Sequence, residues 1–201
     1  MGSLERQASL GRALLDWPRI NWGAGHRRVR SRQRRSVQAV QTGAWRKVKR
    51  LSSLLVHSWA ARAIAVKRVT EHTGKQRPGV DGDLWDTPEK TAHAVARLGR
   101  GRGYRPAPLK RISIPKKNGQ QRPLSIPPLG DRARQAVDLQ ALQPIAETTG
   151  DQHSDGFRPT RRCADAIDPC FKALRQKTSA AWIVEGDIQG FFDNLHISER
   201  S

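Results

Sequence analysis

Trp182-Ile-Val-Glu-Gly-Asp-Ile-Gln-Gly-Phe-Phe-Asp193 is the stretch on which the fold turns. A short apolar run, Trp182 to Val184, ends in carboxylates at Glu185, Asp187 and Asp193. A run of this length reads as a buried strand. The strand would deliver carboxylates at its C-terminal edge, ahead of a tight turn and two aromatics, Phe191 and Phe192. In a strongly basic protein, strand-end carboxylates suggest a metal site acting on a phosphate chain. The sequence ends eight residues after Asp193, so part of such a site is expected outside it.

The basic character is pronounced. Lys and Arg number 37 against 18 Asp and Glu in 201 residues, a formal net charge of +19. A solvated surface mixes both signs, whereas one-sign excess spread along a chain points to a polyanion, here nucleic acid. A membrane surface fits less well, because no basic amphipathic helix carries a clean aromatic face. No run of about 18 apolar residues predicts a transmembrane helix. The segment 1–15 is too polar for a signal peptide, so a cytoplasmic protein is expected. Apolar residues make up 36%, a thin core for this length. Either part of the chain orders on a partner, or further polypeptide supplies core. Cys163 and Cys170 are seven apart, on one helical face and too distant to bridge. They are expected to be small buried apolar residues.

Upstream, residues 1–25 read as a flexible arm anchored by Trp17 and Trp22. His26-Arg-Arg-Val-Arg-Ser-Arg-Gln-Arg-Arg35 runs into Val37 and Val40 at helical spacing, which predicts a helix stopped by Gly43. Arg27, Arg28, Arg30, Arg34 and Arg35 give it a basic face. A second helix is predicted from near Ala44 to Val69, with a stripe of Trp45, Val48, Leu51, Leu55, Trp59, Val66 and Val69. Arg46, Lys47, Lys49 and Arg50 lie mostly off that stripe. Two helices with basic outer faces make an RNA platform. An ordinary amphipathic hairpin would explain the stripe, but not why those faces carry almost no acid.

Residues 73–82 form a turn-rich linker in which Val80 could be pinned in a core. A short helix is predicted from Thr87 to Leu98, with Pro88 in its first turn. The glycine- and arginine-rich loop after it leaves Tyr104 to stack or pack. Strands are predicted at Leu109–Ile114 and Gln121–Ile126, joined at Asn118-Gly119 by a type I′ turn. Lys116, Lys117 and Arg122 sit on this hairpin. A lysine-rich solvated edge is the plain account of them; a grip on a triphosphate is the functional one. Asp131 is expected to cap a helix ending near Gln143, before Pro144. Pro169 should kink or break the helix carrying Cys163, Ile167, Cys170, Phe171 and Leu174. The fold class is α+β, with a flexible arm over 1–25, a helical extension over 26–83 and a second domain over 84–201.

Four ordered blocks carry a resemblance. They are Ile114-Pro-Lys-Lys-Asn-Gly-Gln-Gln-Arg-Pro-Leu-Ser-Ile-Pro127, Asp131-Arg132, Gly156-Phe-Arg-Pro159 and Glu185-Gly-Asp-Ile-Gln-Gly-Phe-Phe-Asp193. Together they resemble the opening blocks of bacterial group II intron reverse transcriptases (maturases). Val69-Thr-Glu-His-Thr-Gly-Lys-Gln-Arg-Pro-Gly-Val-Asp-Gly82 resembles the linker after that family's N-terminal extension. The resemblance implies an N-terminal helical extension, then the fingers and a partial palm of a right-hand polymerase. It implies that Asp187 is the first metal-binding aspartate and that the Ile188 carbonyl faces the metal. Lys116 and Arg122 would hold the incoming dNTP triphosphate, and Phe192 would exclude a ribose 2′-OH. Asp193 would be structural. In the complete enzyme two Mg²⁺ ions would sit about 3.5–4 Å apart. The implied partners are group II intron RNA and a DNA primer or target, in a bacterial cytoplasm. Arg27, Arg28, Arg30, Arg34, Arg35, Lys47 and Arg50 would contact the RNA.

The sequence departs from the family in two places. No Tyr-x-Asp-Asp occurs, and the usual Ser-Tyr-Gly-Phe-Arg-Pro appears as Ser154-Asp-Gly-Phe-Arg-Pro159. One carboxylate cannot hold two metals, so these residues alone are expected not to polymerise. A C-terminal polymerase fragment could complete them. The alternative is a basic RNA-binding module or remnant without catalysis.

Overall fold

The computed structural model describes residues 17–99 and 104–188. Helix α1 spans Trp22–Gln41, α2 Trp45–Val56 and α3 Trp59–Glu71. The Asn21 side chain caps α1 by accepting from Ala24 N at 2.9 Å, and Gly43, at φ +66°, lets the chain turn back after it. The expected arm is therefore corrected over residues 17–25. Trp17–Arg19 is a 3₁₀ turn, and the Trp17 and Trp22 rings meet edge to face at 5.0 Å. Both pack on the cluster that contains Val66, Val95 and Leu129. The long second helix is also corrected. It breaks at His57-Ser58, where Ser58 is extended at ψ 128°, and two helices result.

Helix α3 is the centre of the first unit. Ala60, Ala61, Ala63, Ala65, Val66 and Val69 are buried on it, and side chains this small let other helices approach closely. Helix α4 (Pro88–Leu98) and helix α5 (Leu129–Thr149) both pack against it, and α5 also touches α1 and α2. The boundary expected near residue 83 is not where the chain divides. A compact unit runs to residue 149, because α5 completes the core of the N-terminal helices through Ala133, Val137 and Ala141. In the linker, Val80 is 51% exposed rather than pinned. Gly79 is the buried residue there.

Helix α5 passes through Pro144 instead of ending before it. Proline has no N–H to donate to the carbonyl four residues back, here that of Gln140. The structure supplies another donor: Gln33 Nε2 of α1 lies 2.9 Å from Gln140 O. Gln140 in turn donates from its side chain to Ala61 O of α3 at 3.0 Å. One glutamine pair thus joins three helices at the point where proline would otherwise leave a gap.

Strands β1 (Lys110–Pro115) and β2 (Gln121–Ile126) pair antiparallel, with Ile114 opposite Arg122. The turn is not type I′, which needs positive φ at both central residues. Among the described residues only Gly119 has it in this hairpin, at φ 79°. Gly119 N donates to Lys116 O at 3.0 Å, and Lys116 N to Gln120 O at 2.7 Å. This is a three-residue loop in which glycine alone takes the left-handed conformation.

The second unit begins at residue 150. Its helix α6 (Cys163–Leu174) continues through Pro169 without a break. No residue of α6 is buried, so the carbonyl that Pro169 cannot serve is open to water. Cys163 and Cys170 are exposed rather than buried. Residues 182–188 form no strand, and Trp182 is 90% exposed. A strand needs a neighbour to take its backbone hydrogen bonds, and none of the described residues provides one. Among the described residues, no helix is long and apolar enough to cross a membrane.

Candidate functional site

Side-chain alternation organises the hairpin. Lys110, Ile112, Ile114 and, two further on, Lys116 face the same way as Ile126, Leu124 and Arg122 across the ladder. Near the root, Ile112, Leu124 and Ile126 are half-buried; toward the tip, Lys116 and Arg122 are exposed. Lys116 and Arg122 therefore fall on one face of the hairpin, and Lys117 on the other. No Asp or Glu occurs between Glu89 and Asp131, so nothing on the hairpin neutralises them. A compact ammonium and a planar guanidinium so placed can take separate oxygens of a phosphate chain.

The root is held by two adjacent residues. Asp131 lies within the first turn of α5 rather than capping it, and it is buried. It accepts from Tyr104 O–H at 2.6 Å and from Ala107 N at 3.0 Å. Arg132 donates to Pro127 O at 2.8 Å and Gly74 O at 3.0 Å, and also to Arg77 O. The segment entering β1, the segment leaving β2 and the linker are thus gathered on the start of α5. Arg134 lies over the Tyr104 ring at 5.6 Å. Burial, and then the bond to Asp131, push the Tyr104 phenol up to about 12. A cleft of about 240 Å³ opens between Tyr104, Arg105, Asp131 and Arg134. Gly79 closes the linker side: a Cβ there would stand 2.6 Å from the backbone of Pro128. The sequence reading missed these roles. Asp131-Arg132 was visible as a motif, but its partners are 24 to 58 residues away, beyond the reach of local pattern.

In the second unit, Asp187 and Ile188 are exposed, and Asp187 Oδ1 accepts from Ile188 N at 2.9 Å. A carboxylate and a carbonyl are hard oxygen donors of the kind Mg²⁺ takes. A single carboxylate already bonded to its own neighbour does not make a two-metal centre, and no cluster of three acidic, His or Cys ligands exists among the described residues. The donor set present does not fit that centre by itself. Glu185 is exposed. Phe191, Phe192 and Asp193 lie outside the described residues. In the loop before α6, Asp155 Oδ1 stands 3.3 Å from Arg161 Nη1. Arg158 donates to Asp151 O and Ser154 O at 2.7 and 3.0 Å. Phe157 and Thr160 take positive φ there.

The third group of residues covers the outside of α1 and α2. Arg27, Arg28, Arg30, Arg34, Arg35, Lys47 and Arg50 are all exposed. No Asp or Glu occurs between Asp16 and Glu71, so this surface carries one sign. Arg32 is half-buried and spent on structure, donating to Leu54 O at 3.0 Å.

Residues 17–98 match the N-terminal domain of reverse transcriptase, and residues 114–201 match the reverse transcriptase (RNA-dependent DNA polymerase) family itself. The group II intron-encoded protein LtrA of Lactococcus lactis subsp. cremoris is 35% identical over 136 residues, covering 66% of this chain and 22% of that protein. This chain belongs to the group II intron reverse transcriptase family. Protein YkfC of Escherichia coli (strain K12) is 33% identical over 171 residues, which cover 82% of this chain and 44% of YkfC. An uncharacterized 91 kDa protein in the cob intron of Schizosaccharomyces pombe is 36% identical over 88 residues. The chain thus spans less than half the length of the relatives it matches. The N-terminal reverse transcriptase domain reaches Leu98, so α4 falls within it, consistent with its packing on α3 and not with a boundary at 83.

Proposed function

We propose that the chain forms the fingers and the start of the palm of an RNA-directed DNA polymerase acting with group II intron RNA in a bacterial cytoplasm. The observation that carries this reading is the hairpin. It places Lys116 and Arg122 on one exposed, acid-free face and is rooted on α5 by Asp131 and Arg132. In-line transfer to a primer 3′-OH requires a triphosphate held in place, and a rooted pair of cations supplies that hold. Asp187, with the carbonyl of Ile188, contributes one edge of a metal site, and Phe192 screens the sugar. In the complete enzyme Asp187 and the Ile188 carbonyl would hold part of a Mg²⁺ site, and the metal there would supply charge neutralisation at the phosphates and activation of the primer hydroxyl. The remaining carboxylates, absent from this sequence, would come from further polypeptide, in cis or as a second chain.

These 201 residues alone are expected not to extend a DNA primer on an RNA template with Mg²⁺; robust extension by the purified chain would overturn that statement. In a full-length or complemented enzyme, Asp187→Asn should abolish extension while primer-template binding persists. Retained extension would remove Asp187 from the metal site.

A second reading, RNA binding without catalysis, is favoured by the one-sign surface of α1 and α2. It uses backbone phosphates and is salt-sensitive.

A further inference from the structure

Trp45 is anomalous within its helix. The core stripe of α2 is complete without it: Val48, Leu51 and Leu55 are the buried residues. The sequence pattern places Trp45 on that stripe, yet it is 57% exposed. Its ring enters none of the aromatic or cation contacts found among the described residues, in contrast to Trp22, which meets Trp17 and Lys67. Leaving the largest apolar side chain in water is unfavourable, so an exposed, free indole calls for an occupant.

Its surroundings say which. Arg46 and Lys47 follow it directly, and Lys49, one turn on, neighbours it on the helix surface. All three are exposed. The whole segment between Asp16 and Glu71 lacks acid, so an acidic ligand is complemented and a basic protein surface is repelled. An aromatic face beside a row of cations is the arrangement that holds single-stranded nucleic acid: bases stack on the ring while phosphates meet the charges. A fully paired duplex offers phosphates but no free base face.

We infer that Trp45 is a stacking site for an unpaired RNA base, with Arg46, Lys47 and Lys49 taking the flanking phosphates. It rests on the reading of α1 and α2 as an RNA-binding surface and adds to it a selectivity for looped or bulged RNA over plain duplex.

The test uses the whole purified chain with two probes, an RNA hairpin with a single-stranded loop and a fully paired RNA duplex, each titrated at several salt concentrations. Trp45→Ala should weaken loop binding about tenfold or more and leave duplex binding and the salt dependence unchanged. Trp45→Phe should restore most of the loop affinity. Because the side chain is outside the core, melting temperature should not move, which separates lost stacking from lost structure. An equal loss on both probes, or no loss on either, overturns the stacking site while leaving the RNA-binding surface standing. Salt-independent binding, or none at all to either RNA by the parent chain, overturns the surface reading itself. If Trp45→Ala instead abolishes self-association in sedimentation and spares RNA binding, the ring covers a protein interface and the inference fails.

Discussion

Gly79 sits where a methyl group has no room. A Cβ added there would meet backbone atoms of Pro128 at 2.6 Å, which cannot swing aside as a flexible side chain would. Gly79→Ala should therefore destabilise the first unit by about 1–3 kcal/mol, read as a lowered urea midpoint. An unchanged midpoint would mean that the linker relaxes away from α5. Tyr104 offers a spectroscopic check at the same root. It is the only tyrosine, so phenolate absorbance reports on it alone. Its folded pKa of about 12 exceeds the ordinary 10. The folded state therefore holds the proton more tightly, and the stability this contributes is present below pH 10 and is lost between 10 and 12. Asp131→Asn should lower the phenolate midpoint, since it removes both the carboxylate acceptor and its charge. These residues mark the edge of what sequence reveals. The hairpin that carries Lys116 and Arg122 is legible because turn chemistry is local. The burial of Gly79 rather than Val80 is not legible, because apolar character suggests burial while close approach leaves no trace in a single sequence.

At the level of elements, both proline expectations failed for a physical reason that can be measured. In sequence, Pro144 predicts a helix end and Pro169 a kink or break. One is accommodated by a donor from another helix, Gln33, and the other by exposure to water. Gln33→Ala should cost about 1–3 kcal/mol, because the Gln140 carbonyl loses its donor. In a Pro144→Ala background the restored backbone N–H can serve that carbonyl, so the same substitution should cost distinctly less. A double-mutant cycle with no coupling would show that the glutamine contact contributes nothing net. The helices themselves were legible from their periodicity, and so was the α1 terminus at Gly43. The break at His57-Ser58 was not, because no glycine or proline marks it and the stripe runs on across it. Residues 182–188 show the opposite limit. Their pattern asks for a strand, but pairing depends on a neighbour that the pattern cannot supply.

Across the whole molecule the dominant quantity is charge. A net +19 is distributed so that α1 and α2 present one sign and the hairpin another acid-free face. RNA affinity should fall steeply with salt, log K against log salt being linear. Substituting Arg27 and Arg34 together by Gln should flatten that slope by about 1.4–1.8, for two phosphate contacts at about 0.7–0.9 each. A slope that does not change would move the grip off α1. Charge balance and motif order were enough to reach the family. Division of the chain was not, because it is decided by which helix fills the core, and α5 does so from some sixty positions beyond α3.

That filling has an evolutionary and practical corollary. Helices α1 to α3 present the cationic surface, but Ala141 and the Gln140 carbonyl that they enclose belong to α5. The proposed RNA-binding surface is therefore not a portable cassette. A chimera that borrows residues 26–83 inherits the charges with an unfilled seam, whereas one that carries the chain through Thr149 takes the β1–β2 hairpin with it. Grip and hairpin are obliged to travel, and to diverge, as one piece.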